Sequence, residues 1–145
     1  MSLSKMGHII LIVRDLDRSL AFYHDLLGMT VKYTIPGEFV FLDGGGVTLA
    51  LSQSGEPQTV VPGAVEVSFE TEDVLSTYET LKSRGIVFRL PPRPVTEDEQ
   101  RELLATDFCD LDGHLLSITG WVAKNTWPLG HREHLREDVR ALHRT

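Results

Sequence analysis

At 145 residues the chain is long enough for one domain with a sizeable core, or for two small modules that share one. Its 41% hydrophobic and 24% charged content is globular, and a formal charge of −7 argues against nucleic acid as a partner. No apolar run approaches the roughly 18 residues of a membrane span, no signal-type apolar region opens the chain, and the single Cys109 cannot form an internal disulfide, so the expected location is the cytoplasm.

The first strand candidate is the apolar run within "GHIILIV" (7–13). Asp15 follows as an N-cap, and Leu16, Leu20, Tyr23 and Leu27 recur at helical spacing until Gly28, which suits the left-handed residue that ends a helix. Three further strands are predicted at 29–35, 38–43 and 47–52, separated by Pro36-Gly37 and by Gly44-Gly45-Gly46. The triple glycine precedes a strand rather than a helix, so it reads as a turn and not a phosphate loop.

After a linker around 54–63, "AVEVSFE" (64–70) alternates in the manner of a strand. Asp73 caps a second helix bearing Val74, Tyr78 and Leu81, which ends at Gly85. Strands are predicted at 86–90, 103–110 and 114–119, with the Pro-rich and charged segment 91–102 as a loop that could serve as a lid. In the tail, 121–145, Leu135, Val139 and Leu142 predict a short amphipathic helix, and the histidines of "HREH" (131–134) read as solvated.

The two halves repeat. Placing Asp15 on Asp73, 58 positions on, sets His8 on Glu66, Ile9 on Val67 and Leu11 on Phe69. The last strands, "GVTLALS" (46–52) and "GHLLSIT" (113–119), match at an offset of 67, which sets Ala50 on Ser117. The fold class is therefore α+β: two tandem βαβββ modules, 6–53 and 63–120, in one domain 1–120 followed by the helical tail.

One helix per module covers one side of its strands, expected to be the side of Ile9, Leu11 and Val13, Leu49 and Leu51, Val67 and Phe69, and Leu116 and Ile118. The other side carries His8, Ile10 and Ile12, Thr48, Ala50 and Ser52, Glu66, Ser68 and Glu70, and Ser117 and Thr119. Such a mixture suits the wall of a small-molecule cavity, in which Thr48, Ser52, Ser68, Ser117 and Thr119 would orient substrate. His8 reads either as a hydrogen-bonded strand residue or as a functional one. Glu66 reads as a surface carboxylate, as the partner of an arginine such as Arg89 or Arg101, or as a cavity group that burial would turn into a general base.

Paired modules with "GHIILIVRDLDRSLAFYHDLLGM" at the start and "DLDGHLLSI" near the end resemble the vicinal oxygen chelate superfamily. That superfamily includes glyoxalase I, bleomycin- and fosfomycin-resistance proteins and extradiol dioxygenases. The resemblance implies a curved mixed sheet around a cavity, with metal ligands on the first and last strand of each module. Carried onto this chain, those positions are His8, Ala50, Glu66 and Ser117. The resemblance thus implies His8 and Glu66 as metal ligands or as catalytic groups, while Ala50 has no donor and Ser117 replaces the usual carboxylate. The expected cofactor is one divalent metal (Zn, Ni, Mn or Fe), weakly held, or none. Two functions follow from the resemblance: a glyoxalase-like lyase or related enzyme acting on a small oxygenated molecule, or a non-catalytic protein that sequesters a drug of the bleomycin type. The expected assembly is a homodimer, with no nucleic-acid or membrane partner.

Overall fold

A computed structural model describes residues 1–53 and 59–124. Within them eight strands form two four-stranded sheets: β1 (His8–Val13), β2 (Val31–Ile35), β3 (Phe39–Asp43) and β4 (Thr48–Gln53) in the first, and β5 (Glu66–Glu70), β6 (Phe88–Glu97), β7 (Arg101–Cys109) and β8 (Leu115–Ala123) in the second. The strand orders are β1-β4-β3-β2 and β5-β8-β7-β6, so the two sheets share one topology. In each, the outer first strand runs parallel to the last and the other pairings are antiparallel. The α+β class and the duplicated βαβββ module are as expected.

The register reproduces the repeat residue by residue. His8 pairs with Thr48 in the first sheet, and Glu66 pairs with Leu115 in the second. Moving the first pair by the two sequence offsets, 58 and 67, gives the second pair.

Each helix starts as its cap residue dictates. Asp15 accepts from Arg18 N at 3.1 Å before α1 (Leu16–Leu20), and Asp73 accepts from Ser76 N at 2.9 Å before α2 (Val74–Ser83). Beyond Leu20 the first helix widens into a π-type stretch, Ala21–Leu26, marked by the five-residue bond from Leu27 N to Phe22 O at 3.1 Å. The chain leaves both helices through glycines at positive φ, Gly28 at 79° and Gly85 at 97°.

Two compact units result: Met1–Val61 with Asp110–His114, and Pro62–Cys109 with the chain from Leu115 onward. In the first, Leu11, Val13, Leu16, Tyr23, Leu42 and Leu51 are buried, and in the second Val74, Leu81, Leu104, Phe108, Leu116 and Ile118. Each such side chain contributes about 1.5–3 kcal/mol when fully buried. The strand residues expected to face the helices are buried or half-buried throughout.

One element departs from expectation. The segment 91–102 is no lid loop: β6 runs through it to Glu97 and β7 begins at Arg101. The turn between them is held by Asp98, whose Oδ1 accepts from Gln100 N at 2.9 Å and Arg101 N at 2.6 Å. Pro91, Pro92 and Pro94 are tolerated because β6 is the edge strand and its pairing with β7 shifts register three times. The last strand also extends past its predicted end, to Ala123. The predicted tail helix around Leu135, Val139 and Leu142 lies outside the described residues, as does most of the linker. Among the described residues no helix is long and apolar enough to cross a membrane.

Candidate functional site

The polar residues of the second sheet meet on the face away from α2. Ser117 lies opposite Ser68 in the β5–β8 pairing, two positions from Glu66 on the same face. Its Oγ donates to Glu66 Oε2 at 3.1 Å. Beside this pair, Ser68 Oγ and Thr119 Oγ1 are 3.3 Å apart. Ser117 is 2% exposed, whereas Glu66 is an exposed residue. The reading of Glu66 as a desolvated base therefore loses its premise. So does its pairing with Arg89 or Arg101: Arg89 sits against Asp107, and Arg101 binds Asp98.

The polar row continues across the sheet. Asp107 on β7 stands directly opposite Ser117 and so shares its face. Asp107 is 6% exposed and is approached by Arg89 Nε and Arg93 Nη2, each at 3.5 Å. Glu66, Ser117, Asp107 and the two arginines thus span all four strands, β5, β8, β7 and β6. Sequence reasoning found the first two and missed the rest. The signal was an acidic residue ten positions before Ser117 inside a predicted strand, with two arginines in the preceding segment.

In the first unit the corresponding face is aromatic. Phe41, opposite Ala50, stacks on Tyr33 at 4.4 Å and on Phe39 at 5.6 Å, and meets the His8 ring edge-on at 6.0 Å. His8 and Tyr33 are exposed, and Ile10 beside them is 57% exposed. Thr48 is buried and accepts from Lys32 Nζ at 3.0 Å, and Ser52 is half-buried opposite Phe39. The first unit therefore gathers His8, Thr48 and Ser52 on an aromatic surface, and the second gathers Glu66, Ser68, Ser117 and Thr119 on a polar one.

These two sheets match known proteins. The family model for the glyoxalase/bleomycin resistance protein/dioxygenase superfamily matches residues 5–118. The chain belongs to that superfamily. It is 26% identical over 123 residues to the fosfomycin resistance protein FosX of Listeria monocytogenes, covering 80% of this chain and 89% of that one. An integron cassette protein from V. cholerae superposes with a TM-score of 0.66 at 26% identity, over 83% of this chain and 97% of the other. A lactoylglutathione lyase from Agrobacterium tumefaciens shares the fold at 20% identity, with a TM-score of 0.64 over 83% and 96% of the two chains.

The four strand positions at which the resemblance implies metal ligands fall two in each unit. In the first, His8 is an imidazole donor but Ala50, 1% exposed, has no donor atom. In the second, Glu66 is a carboxylate donor, but the Ser117 hydroxyl is directed at Glu66. Among the described residues no three His, Cys, Asp or Glu side chains gather as a metal would require. This donor set does not fit a catalytic metal held by three protein ligands.

Proposed function

We propose that this superfamily member is a glyoxalase-like enzyme, a lyase or a related activity, in which Glu66 removes a proton from a small oxygenated substrate. The hydrogen bond from Ser117 to Glu66 Oε2 carries the reading. A flexible glutamate on a strand end gains a fixed orientation when one oxygen is tied down, and the other oxygen is left to take a proton. Ser68 and Thr119, next to the pair, supply hydroxyls that orient a carbonyl or hydroxyl of the substrate. His8, at the repeat-equivalent position, is the second candidate acid or base.

The test is proton exchange in D2O with a panel of 2-hydroxy ketones and 2-oxo acids, followed by loss of the NMR signal of the hydrogen next to the carbonyl. The expected result is exchange above the buffer rate for at least one compound, reduced about 10²–10⁴-fold in Glu66→Gln. His8→Ala in the same assay shows whether the imidazole contributes. Exchange that survives Glu66→Gln unchanged sinks the assignment.

The aromatic surface of the first unit favours a second reading, a non-catalytic binder of a flat or cationic drug. Stacked Tyr33, Phe41 and Phe39 offer the faces such a ligand needs, and the charge of −7 draws cations. Thermal shifts with bleomycin-type compounds, lost in Phe41→Ala and unaccompanied by turnover of the exchange panel, would select it.

A further inference from the structure

The far end of the polar row holds more positive charge than its carboxylate needs. Asp107 is one buried acid facing two guanidiniums, so the cluster retains a net positive charge on a chain of −7. Arg93 is committed: its side chain is 18% exposed, Nη1 donates to Ala105 O at 3.1 Å, and Nη2 points at Asp107. Arg89 is not. Its side chain is 51% exposed, and its closest approach to Asp107 is through Nε. That contact is ionic at 3.5 Å rather than a hydrogen bond, since Asp107 Oδ1, a buried atom, has no hydrogen-bond partner among the described residues.

The strand is built to bring these groups together. Register shifts between Phe88 and Leu90 and between Leu90 and Arg93 take both arginines out of the simple alternation and bring them to Asp107. Bulges of this kind re-aim side chains and recur beside functional sites. A structural ion pair would need only one of the two cations, and the buried one suffices for it.

We propose that Arg89, steered by Asp107, binds the oxyanion of an acidic substrate, a carboxylate or a phosphonate, on the same sheet face as Glu66. The proposal rests on the reading of that face as the substrate site and names the substrate class. The two Nη groups of Arg89 form the planar fork that matches such an anion. Strands β5 and β6 lie three strand spacings apart, about 14 Å, but Glu66 reaches Ser117 on β8 and Arg89 reaches Asp107 on the neighbouring β7, which shortens the gap. A short-chain acid with its reactive carbon a few bonds from the anion spans it.

The experiment measures binding of 2-oxobutanoate, of its neutral methyl ester and of phosphonoacetate to the full chain by NMR titration. The expected result is saturable binding of one or both anions at millimolar concentration, with no saturation by the ester. Arg89→Gln weakens the anion roughly tenfold, and Arg89→Lys, which keeps the charge but loses the fork, falls between. Arg93 stays in both variants, so Asp107 keeps a cation and the fold is preserved. Glu66→Gln retains anion binding, so a chain with no proton exchange but Arg89-dependent binding loses the base assignment and keeps the anion site. Absence of binding by either anion, or equal binding in Arg89→Gln, overturns the proposal, and equal saturation by the ester does the same.

Discussion

Tyr23 Oη donates to Asp110 Oδ2 at 2.6 Å, joining residues 87 positions apart in a buried pair. Asp110 Oδ1 accepts in turn from the backbone N–H of Asp112 at 3.0 Å and of His114 at 2.8 Å. His114 Nε2 donates to Ile12 O at 2.8 Å, and Asp112 accepts from Arg14 N at 3.0 Å. The turn Asp110–His114 is therefore the anchor of the first helix and first strand.

Tyr23→Phe removes one donor from a buried carboxylate, and the expected cost is about 1–3 kcal/mol in urea unfolding. The pH dependence follows from the same bond. Burial pushes the Tyr23 phenol far above its ordinary value of 10.0, and the neighbouring Asp110 charge pushes it further. A folded-state pKa raised in this way gives stability that is whole below the unfolded value, near pH 10, and is lost as the pH climbs above it. Absorbance at 295 nm should show at least one of the three tyrosines remaining protonated until the chain unfolds.

Ser117→Ala frees the Glu66 carboxylate without removing it. Proton exchange should fall about tenfold, far less than in Glu66→Gln, because only orientation is lost. An unchanged rate would mean that the hydrogen bond is incidental to catalysis.

The donor set predicts that dialysed protein retains less than one equivalent of Zn, Ni, Mn or Fe. Elemental analysis is the check. A stoichiometric metal that disappears in Glu66→Ala would reassign Glu66 from base to ligand.

Gly120→Ala probes a close approach. A methyl group there would run into Thr71 O and lie 2.9 Å from Val74 Cγ2, where β8 passes the start of α2. The backbone at this point is tied by Thr71 N to Thr119 O at 2.9 Å and cannot retreat without loss. Overpacking of this kind costs about 1–3 kcal/mol, measurable as a lowered Tm.

Asp73→Ala tests the cap that revealed the repeat. Loss of the bond to Ser76 N should cost about 1 kcal/mol, and Asp73→Asn should restore most of it.

The fold was legible because its signals are local and occur twice. Asp15 and Asp73, and Gly28 and Gly85, mark both helices, and the two offsets sufficed to give the pairing of His8 with Thr48 and of Glu66 with Leu115. The continuation of β6 beyond Leu90 was hidden because three prolines argue against a strand, an argument that fails at a sheet edge. With that continuation and its register shifts hidden, Arg89 and Arg93 could not both be set beside Asp107. Half of the site was readable by period two alone: Glu66, Ser68, Ser117 and Thr119 do share a face. The exposure of Glu66 was not readable, since alternation tells which side a residue takes and not what lies over it. The pairing of Tyr23 with Asp110 left no trace in the sequence because no periodicity links residues so far apart.

The turn Asp110–His114 belongs to the first compact unit, although the chain enters it from β7 and leaves it into β8. A gene fragment encoding residues 1–61 would supply every strand of the first sheet and still omit Asp110, Asp112 and His114. Tyr23 would then keep a buried hydroxyl without its acceptor, and the Arg14 N–H and Ile12 carbonyl would lose the Asp112 and His114 side chains that bond them. Symmetry of sequence and integrity of structure thus part company at a single five-residue turn. To halve this protein at its repeat is to cut through a folded body, and a self-contained first half has to borrow that turn from the second.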